Sequence, residues 1–308
     1  MKIAILGGGG FLGTHLSAEL LARGHTVRVF DRPPLARLRR LPHYSEVEWI
    51  EGDFVNPNDV AGAIAGCEAV FHLVSTTVPQ PSNLNPAYDV ETNLVGSLRL
   101  LELATQAQLK KLVFVSSGGT VYGVPQHIPV AETHPTEPTC SYGIAKLAIE
   151  KYLHLWRLLH GLEYCVLRVA NAYGEWQRPV GSQGAVAAFV ERALKRQTIE
   201  IWGDGSVVRD YVYAGDIARA LAIALDCRTE DRVFNIGSGI GRSLNDIIGA
   251  IESAIGSPVA RNYTAARRFD VPVNVLDISR ARAQLGWVPE ITFVEGVRRT
   301  LLWQREYL

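Results

Sequence analysis

Two residues with helical spacing, Tyr142 and Lys146, form the pair in this sequence with the clearest chemical meaning. Residues i and i+4 share one face of a helix, so the phenol and the ammonium should lie side by side on a helix predicted for Tyr142–Leu159. A nearby positive charge stabilises a phenolate and lowers the pKa of a tyrosine. Tyr142 is therefore a candidate general base for removing the proton of a hydroxyl group.

A glycine-rich segment near the beginning of the chain predicts a turn that binds phosphate. Gly7–Gly13 reads GGGGFLG and lies between an apolar strand pattern and a helical pattern. Glycines at this spacing allow a tight turn and a close approach to a pyrophosphate, which the helix N-terminus attracts. The next predicted strand ends in Asp31, where an acceptor for a ribose 2′-hydroxyl is expected. The combination predicts a dinucleotide site and favours NAD over NADP, although Arg32 could pair with a 2′-phosphate.

A carboxylate and an aromatic residue follow the third predicted strand. Asp53 could accept a hydrogen bond from the amino group of an adenine, and Phe54 could pack against the adenine ring. The alternative for Asp53 is a structural role, because aspartates often cap the helix that follows them.

Composition excludes several classes of protein. The chain has 308 residues, with 31 Lys and Arg balanced by 31 Asp and Glu, so it lacks the basic excess of a nucleic-acid-binding protein. No apolar run is long enough to predict a membrane span. The four cysteines form no CxxC pair, which favours a reducing, cytoplasmic location, and the eight histidines form no metal-binding motif, so no metal is predicted.

Short apolar runs alternate with helical patterns through the first half of the chain. Runs that are apolar on both faces are typical of a parallel sheet covered by helices. The fold class predicted is α/β: a Rossmann-type, doubly wound parallel sheet followed by a smaller C-terminal α/β domain for substrate. We place the cofactor domain at residues 1–170 and the second domain at 171–308, with residues 233–236 returning to the main sheet as a strand.

With these motifs the chain resembles the extended short-chain dehydrogenase/reductase family, and most closely its UDP-galactose 4-epimerase group. The resemblance extends over the whole chain and includes Arg168–Gly174, Arg209–Tyr211 and Leu285–Pro289. It implies NAD as a tightly bound cofactor, a UDP-sugar as substrate, and inversion at C4 of the hexose through a transient 4-keto sugar. The cofactor-binding residues that the motifs and this resemblance imply are Gly7, Gly10, Phe11, Leu12, Gly13, Asp31, Arg32, Asp53, Phe54, Leu73, Val74, Ser75, Thr77, Asn93, Ser116, Tyr142 and Lys146.

The sequence departs from the family pattern at the residue that usually contacts the reacting sugar oxygen. Gly118 stands where relatives place Ser or Thr. If the strand continued, Thr120 would lie on the same face as Gly118, so we predict Thr120 as the replacement hydroxyl, with Ser117 or a water as the next alternative. Thr77 replaces a lysine that relatives often use to reach the cofactor ribose. Gly119 and Thr120 also stand where sugar dehydratases carry their acidic pair, which argues against dehydration.

A second set of residues is assigned to the nucleotide sugar by the same resemblance: Asn171, Gln183, Trp202, Arg209, Arg268 and Asn274. Two alternatives stay open, since Arg209 could form a local ion pair with Asp210 and Trp202 could be a core residue. Asn274 corresponds to the position that limits room beside the C2 substituent of the sugar. Its moderate size predicts that N-acetylhexosamines are accepted.

The resemblance also implies a homodimer that assembles through a helix bundle. Candidate interface residues are Leu100, Leu147, Leu153 and Trp156, and each of them could equally belong to the ordinary core. Two other enzyme functions remain open: another nucleotide-sugar epimerase, such as one for a UDP-uronic acid, and a keto-sugar reductase. A non-catalytic NAD(H)-binding regulator is a third possibility, which the intact Tyr142 and Lys146 disfavour.

Overall fold

A parallel β-sheet forms the core of the first of two compact units in the computed structural model of this protein, which describes residues 1–33, 41, 43–178, 184–266 and 271–307. The strands of the described chain are β1 (Lys2–Leu6), β2 (Thr26–Asp31), β3 (Glu48–Glu51), β4 (Ala69–His72), β5 (Lys111–Ser117), β6 (Glu163–Val169), β7 (Asn171–Tyr173), β8 (Ile199–Trp202), β9 (Val208–Tyr213), β10 (Val233–Ile236), β11 (Gly241–Ser243), β12 (Arg261–Thr264) and β13 (Val273–Asn274).

The helices follow the pattern expected for a doubly wound fold. They are α1 (Phe11–Ala22), α2 (Pro57–Ile64), α3 (Pro79–Ser82), α4 (Pro86–Asp89), α5 (Gly96–Gln106), α6 (Ser141–His160), α7 (Ala185–Leu194), α8 (Ala214–Leu225), α9 (Leu244–Ile255) and α10 (Phe293–Tyr307), with π-helical turns at Val90–Val95 and Ala281–Leu285.

The strand order of the main sheet confirms the predicted fold class. Within the described residues the order is β3-β2-β1-β4-β5-β6-β10, and the neighbouring pairs from β1 to β6 are parallel. Residues 3–6 of β1 and 69–71 of β4 are 0% exposed, as expected for central strands covered on both faces. The order reverses between β1 and β4, and in open α/β sheets a ligand binds at the carboxyl ends of strands beside such a reversal.

The second unit is built around β9. In the described chain β9 pairs with β7 and β13 in parallel and with β11 in the antiparallel direction, and β8 pairs with β12 separately. The division between the units does not follow a single boundary at residue 170. The first unit comprises Met1–Val124, Pro135–Val169 and Ala218–Phe234, because the end of α8 and the start of β10 belong with the main sheet.

The helix predicted across residues 88–106 is interrupted. The π-helical turn Val90–Val95 separates α4 from α5, and one extra residue per turn changes which side chains face the sheet. Asp89 and Asn93, four residues apart along this interrupted helix, both lie in the interior, where they are 0% and 6% exposed.

Two of the four predicted interface residues belong to the core of the first unit. Leu100 and Leu153 are each 1% exposed and pack in its main hydrophobic cluster. The core alternative is therefore confirmed for these two residues and the interface alternative is wrong, because other members of the cluster already cover them. The apolar side chains that α6 leaves exposed include Leu155, Leu158 and Leu159.

No helix among the described residues is long and apolar enough to cross a membrane. The four cysteines, Cys67, Cys140, Cys165 and Cys227, are free thiols. A search of the described ranges finds no cluster of three or more potential metal ligands.

Candidate active site

The glycine turn between β1 and α1 has the geometry that the sequence predicts. Gly7 has a φ of +81°, and a Cβ atom there would lie 3.2 Å from the backbone nitrogen of Val74. A Cβ on Gly13 would lie 2.4 Å from the Cα of Gly8, so only glycine lets α1 approach the turn this closely. No side chain of the described chain caps the N-terminus of α1, and its first N–H groups can therefore bind an anion.

Asp31 closes the same turn from the end of β2. One of its carboxylate oxygens accepts a hydrogen bond from the backbone N–H of Gly9 at 2.9 Å, and the other accepts from the backbone N–H of Arg32 at 2.8 Å. These bonds place the carboxylate beside the glycine turn, where a ribose acceptor is expected. The side chain of Arg32 is exposed.

Substitution of Gly13 by alanine should abolish cofactor retention. The added Cβ forces α1 away from β1 and opens the glycine turn, so we expect the purified variant to contain little NAD. Released NAD can be quantified by absorbance after denaturation of the protein.

Gly62→Ala is the matched control, because Gly62 lies inside α2 and a Cβ there meets no atom within 4 Å. This substitution should leave NAD content unchanged and favour the helix by about 1 kcal/mol. Normal NAD content in Gly13→Ala would contradict the assigned role of the turn.

Asp53 and Phe54 differ in their surroundings. The Asp53 carboxylate accepts a hydrogen bond from the backbone N–H of Val55 at 3.1 Å, which leaves capping of α2 to Asn56. Phe54 is 4% exposed, and the centroid of its ring lies 4.9 Å from that of the His72 ring, with the two rings tilted by 32°. Its side chain thus belongs to the core, and its packing against an adenine stays a prediction, as does the adenine contact of Asp53.

The loop after β4 lies between the glycine turn and the candidate pair Tyr142 and Lys146. Val74 contacts Gly7, and the next residue, Ser75, is hydrogen-bonded to the phenol of Tyr142. Asn93 holds this loop, because its side chain accepts from the Thr76 N–H at 2.9 Å and donates to the Thr76 hydroxyl at 2.9 Å. A direct contact of Asn93 with a cofactor stays a prediction, and the same applies to Leu73.

Sequence reasoning missed Asp89, a fully buried carboxylate beside this loop. It accepts hydrogen bonds from the Thr77 hydroxyl, from Asn93 Nδ2 at 2.9 Å and from the Ser141 hydroxyl at 2.7 Å. It lines one cavity with Ser75, Asn93, Tyr142 and Lys146. The available signal was its position four residues before Asn93, a spacing that places two polar groups on one face of a helical stretch.

The structure brings Tyr142 and Lys146 together on α6, as predicted, with the ammonium 5.6 Å from the centroid of the phenol ring. The expected lowering of the tyrosine pKa is wrong for the chain itself. Burial raises the pKa of Tyr142 to about 12, and hydrogen bonds with Ser75 and Ser117 lower it too little to compensate. Burial likewise lowers the pKa of Lys146 to about 8. Desolvation destabilises the phenolate of Tyr142 and the ammonium of Lys146 more than their mutual attraction stabilises them.

Ser117, and not Thr120, supplies a hydroxyl at the phenol. The alternation argument for Thr120 fails because β5 ends at Ser117 and the chain then turns. Ser117 is hydrogen-bonded to Tyr142. The hydroxyl of Thr120 is buried without a hydrogen-bond partner in the described part of the chain, and its Cβ packs near Gly143.

Removal of the Ser117 hydroxyl should impair proton transfer more than removal of the Thr120 hydroxyl. Ser117→Ala deletes a hydrogen bond that favours the phenolate, so kcat should fall about tenfold or more, the value of one bond to a charged group. Steady-state kinetics of Ser117→Ala and Thr120→Val measure the difference. A greater loss in Thr120→Val would reinstate Thr120 as the catalytic hydroxyl.

Ser116 belongs to a buried cluster next to this site. Its hydroxyl donates to Glu150 at 2.5 Å, and Glu150 also accepts a two-pronged ion pair from Arg168, with the shorter contact at 2.6 Å. The Arg168 guanidinium stacks on the Tyr122 ring at 4.8 Å. The side chain of Ser116 is 3% exposed, and its predicted cofactor contact stays a prediction.

Three of the residues assigned to the nucleotide sugar lie on adjacent strands of the second unit. Arg209 on β9 pairs in register with Asn274 on β13, and Asn171 on β7 donates to the carbonyl oxygen of Asp210 at 3.1 Å. The Asp210 carboxylate accepts from the backbone N–H groups of Ser238, Gly239 and Leu276. Arg209 and Asp210 alternate along a strand and therefore point to opposite faces, which disfavours the local ion pair.

Trp202 is 39% exposed at the end of β8, so it is not a core residue. Two further predicted residues, Gln183 and Arg268, lie outside the described residues. The site assignments in the second unit therefore stay predictions.

The chain matches known proteins along its whole length. Residues 3–237 match the family described as NAD dependent epimerase/dehydratase. The UDP-glucose 4-epimerase of Mycolicibacterium smegmatis is 36% identical over 307 residues, which cover 98% of this chain and 97% of that protein. The crystal structure of the Thermotoga maritima UDP-glucose 4-epimerase with UDP-glucose matches with a TM-score of 0.93, 35% identity and 99% coverage of both chains. The Thermus thermophilus UDP-glucose 4-epimerase complex with NAD matches with a TM-score of 0.91 and 35% identity over 100% of both chains.

Proposed function

Because this chain belongs to the NAD-dependent epimerase/dehydratase family, we propose that it is a 4-epimerase that interconverts UDP-glucose and UDP-galactose with NAD as its cofactor. The family resemblance read from the sequence is thereby confirmed. One observation carries the proposal: the loop after β4 touches the glycine turn through Val74 and the phenol of Tyr142 through Ser75. The glycine turn proposed to bind the dinucleotide and the candidate base Tyr142 are thus neighbours within one unit.

The residues of the first unit fit the cofactor. The glycine turn and the uncapped N-terminus of α1 suit a pyrophosphate, and the Asp31 carboxylate suits a ribose hydroxyl. When bound, NAD⁺ accepts and returns a hydride and adds a positive charge to the site. Such a charge favours the phenolate form of Tyr142, which burial alone disfavours.

Tyr142 performs the proton transfer in this proposal. Its phenolate oxygen takes the proton of the sugar 4-hydroxyl as that carbon is oxidised, and later returns a proton to the oxygen of the keto sugar. Ser75 and Ser117 orient the phenol through their hydrogen bonds. Between the two transfers the keto sugar must present its opposite face, which inverts C4.

The second unit is proposed to bind the nucleotide. Arg209 can hold a diphosphate, since a guanidinium binds phosphate oxygens in pairs, and the exposed Trp202 can stack on a uracil. Asn274 is 3% exposed, and we retain the proposal that its size admits an N-acetyl group. A homodimer and a cytoplasmic location complete the proposal; exposed Leu155, Leu158 and Leu159 on α6 support the dimer.

Product analysis tests the assignment directly. The purified protein is incubated with UDP-glucose and, in parallel, with UDP-galactose, UDP-glucuronic acid and UDP-N-acetylglucosamine, and products are identified by proton NMR. We expect UDP-glucose and UDP-galactose to reach the same mixture from either side, with no net change in absorbance at 340 nm. Conversion of the uronic acid alone, or a net change in absorbance at 340 nm on addition of substrate, would replace the proposal by one of the two alternatives. Rejection of UDP-N-acetylglucosamine would refute the role given to Asn274.

A further inference from the structure

The buried carboxylate of Asp89 lines the same cavity as Lys146, and the hydrogen bonds that hold it come from neutral groups. Asp89 is 0% exposed, and a carboxylate in the interior costs free energy unless a charge or several donors compensate it. Its donors in the described chain are the neutral groups of Thr77, Asn93 and Ser141. Its negative charge is therefore available to a cation in the same cavity, and the cation that lines this cavity is Lys146.

Lys146 needs such a counter-charge. It is 4% exposed, its Nζ donates to the carbonyl oxygen of Val115 at 3.0 Å, and it lies 4.7 Å from the centroid of the Phe114 ring. A carbonyl and an aromatic ring stabilise an ammonium only partly. Burial lowers the lysine pKa to about 8, and the charges of Asp89 and then Glu150 oppose that effect.

The other titratable groups around Lys146 do not replace Asp89. Glu150 already shares its charge with Arg168 in a buried ion pair at 2.6 Å. His72 is neutral, since burial and the Lys146 charge hold its pKa well below its ordinary value. The titratable groups that interact electrostatically with Lys146 or Asp89 come from α6, from the residue before it and from β4: Tyr142, Glu150, Cys140 and His72.

This inference rests on the proposed function. We propose that Asp89 is a positioning residue with two roles. It keeps Lys146 protonated in the pH range in which the enzyme works, and it holds the start of α6 against the loop after β4. The second role follows from its contacts, because Thr77 belongs to that loop and Ser141 is the first residue of α6. Asp89 touches neither the reacting atoms nor the phenol in this assignment. Its charge acts on Lys146 and also raises the pKa of Tyr142, so the titration of Lys146 is the readout specific to this role.

The test compares two variants of the NAD-loaded protein that separate charge from hydrogen bonding. Asp89→Asn removes the charge and keeps nearly the same shape. Ser141→Ala removes one hydrogen bond to Asp89 and keeps the charge. The readout is the pH titration of the Lys146 side chain, followed by NMR of ¹³C-labelled lysine and assigned by loss of the signal in Lys146→Met.

We expect Lys146 to titrate about one pH unit or more lower in Asp89→Asn than in the wild type, the size of shift that a close opposite charge produces. The alkaline limb of the pH profile of kcat should shift to lower pH by a similar amount, while KM for the UDP-sugar stays within about twofold. In Ser141→Ala, Lys146 should titrate as it does in the wild type. An unchanged titration in Asp89→Asn, or an equal shift in both variants, would overturn the proposal.

The NMR readout does not depend on catalysis, so it distinguishes this inference from the proposed function. A shifted Lys146 titration without epimerase activity in the wild type refutes the function and leaves the electrostatic role of Asp89 intact. Epimerase activity with an unmoved titration refutes the role of Asp89 alone.

Discussion

Tyr142→Phe is expected to lower kcat for the interconversion of UDP-glucose and UDP-galactose by about 10²–10⁴-fold, the usual contribution of a positioned general base. The substitution keeps the ring and removes the oxygen that exchanges the proton with the sugar. KM and NAD content should change little, because the lost interaction belongs to the transition state and not to binding. A coupled assay for UDP-glucose formation measures kcat and KM together.

Tyr152→Phe is the matched control on the same helix. Tyr152 packs against Trp156 beside the core of the first unit, and its ring centroid is 6.4 Å from that of Trp156. Its hydroxyl has no part in the proposed reaction, so this variant should retain wild-type kcat. If Tyr142→Phe keeps full activity as well, another group must be the base.

Glu150→Gln should destabilise the protein by about 3 kcal/mol or more, the cost of leaving one member of a buried ion pair without its partner. The side chains of Arg168 and Glu150 are 5% and 3% exposed, so water cannot solvate the guanidinium that remains. Ser116 also loses a charged acceptor. Urea unfolding followed by circular dichroism gives the free energy of unfolding.

Two comparisons show whether burial of the ion pair causes the destabilisation expected for Glu150→Gln. Glu68→Gln breaks a surface pair with Lys110, whose side chain is 71% exposed, and should change stability little. The double substitution Glu150→Leu with Arg168→Met replaces both charges by apolar groups and should recover much of the loss. A double variant as unstable as Glu150→Gln would mean that the cluster stabilises the fold by more than charge neutralisation.

The parts of the site that were predicted correctly depend on short stretches of chain. The turn at Gly7–Gly13 and the i, i+4 geometry of Tyr142 and Lys146 are local consequences of glycine conformation and helix periodicity. The strand ending at Asp31 was evident from its apolar run and its polar last residue. The order of these elements along the chain was also enough to predict the parallel sheet.

The errors arose where distant segments meet. The sequence pattern favours Thr120 because nothing in it marks the end of β5 at Ser117, which only the turn at residues 118–122 reveals. Leu100 and Leu153 were assigned to an interface, because an apolar helix face does not reveal which neighbour covers it. Asp89 was overlooked, since its importance comes from Thr77, Ser141 and Lys146, which are far from it in the sequence or on another element.

The order of helices and strands, the dinucleotide turn and the pairing of a phenol with an ammonium follow from local patterns, because backbone propensity and side-chain spacing act over a few residues. The protonation of that pair does not. Whether Tyr142 and Lys146 are charged depends on how much water and which carboxylates surround them, and burial shifts the two pKa values to about 12 and about 8. Solvation and Coulomb interactions act through space, so only the packed chain determines them.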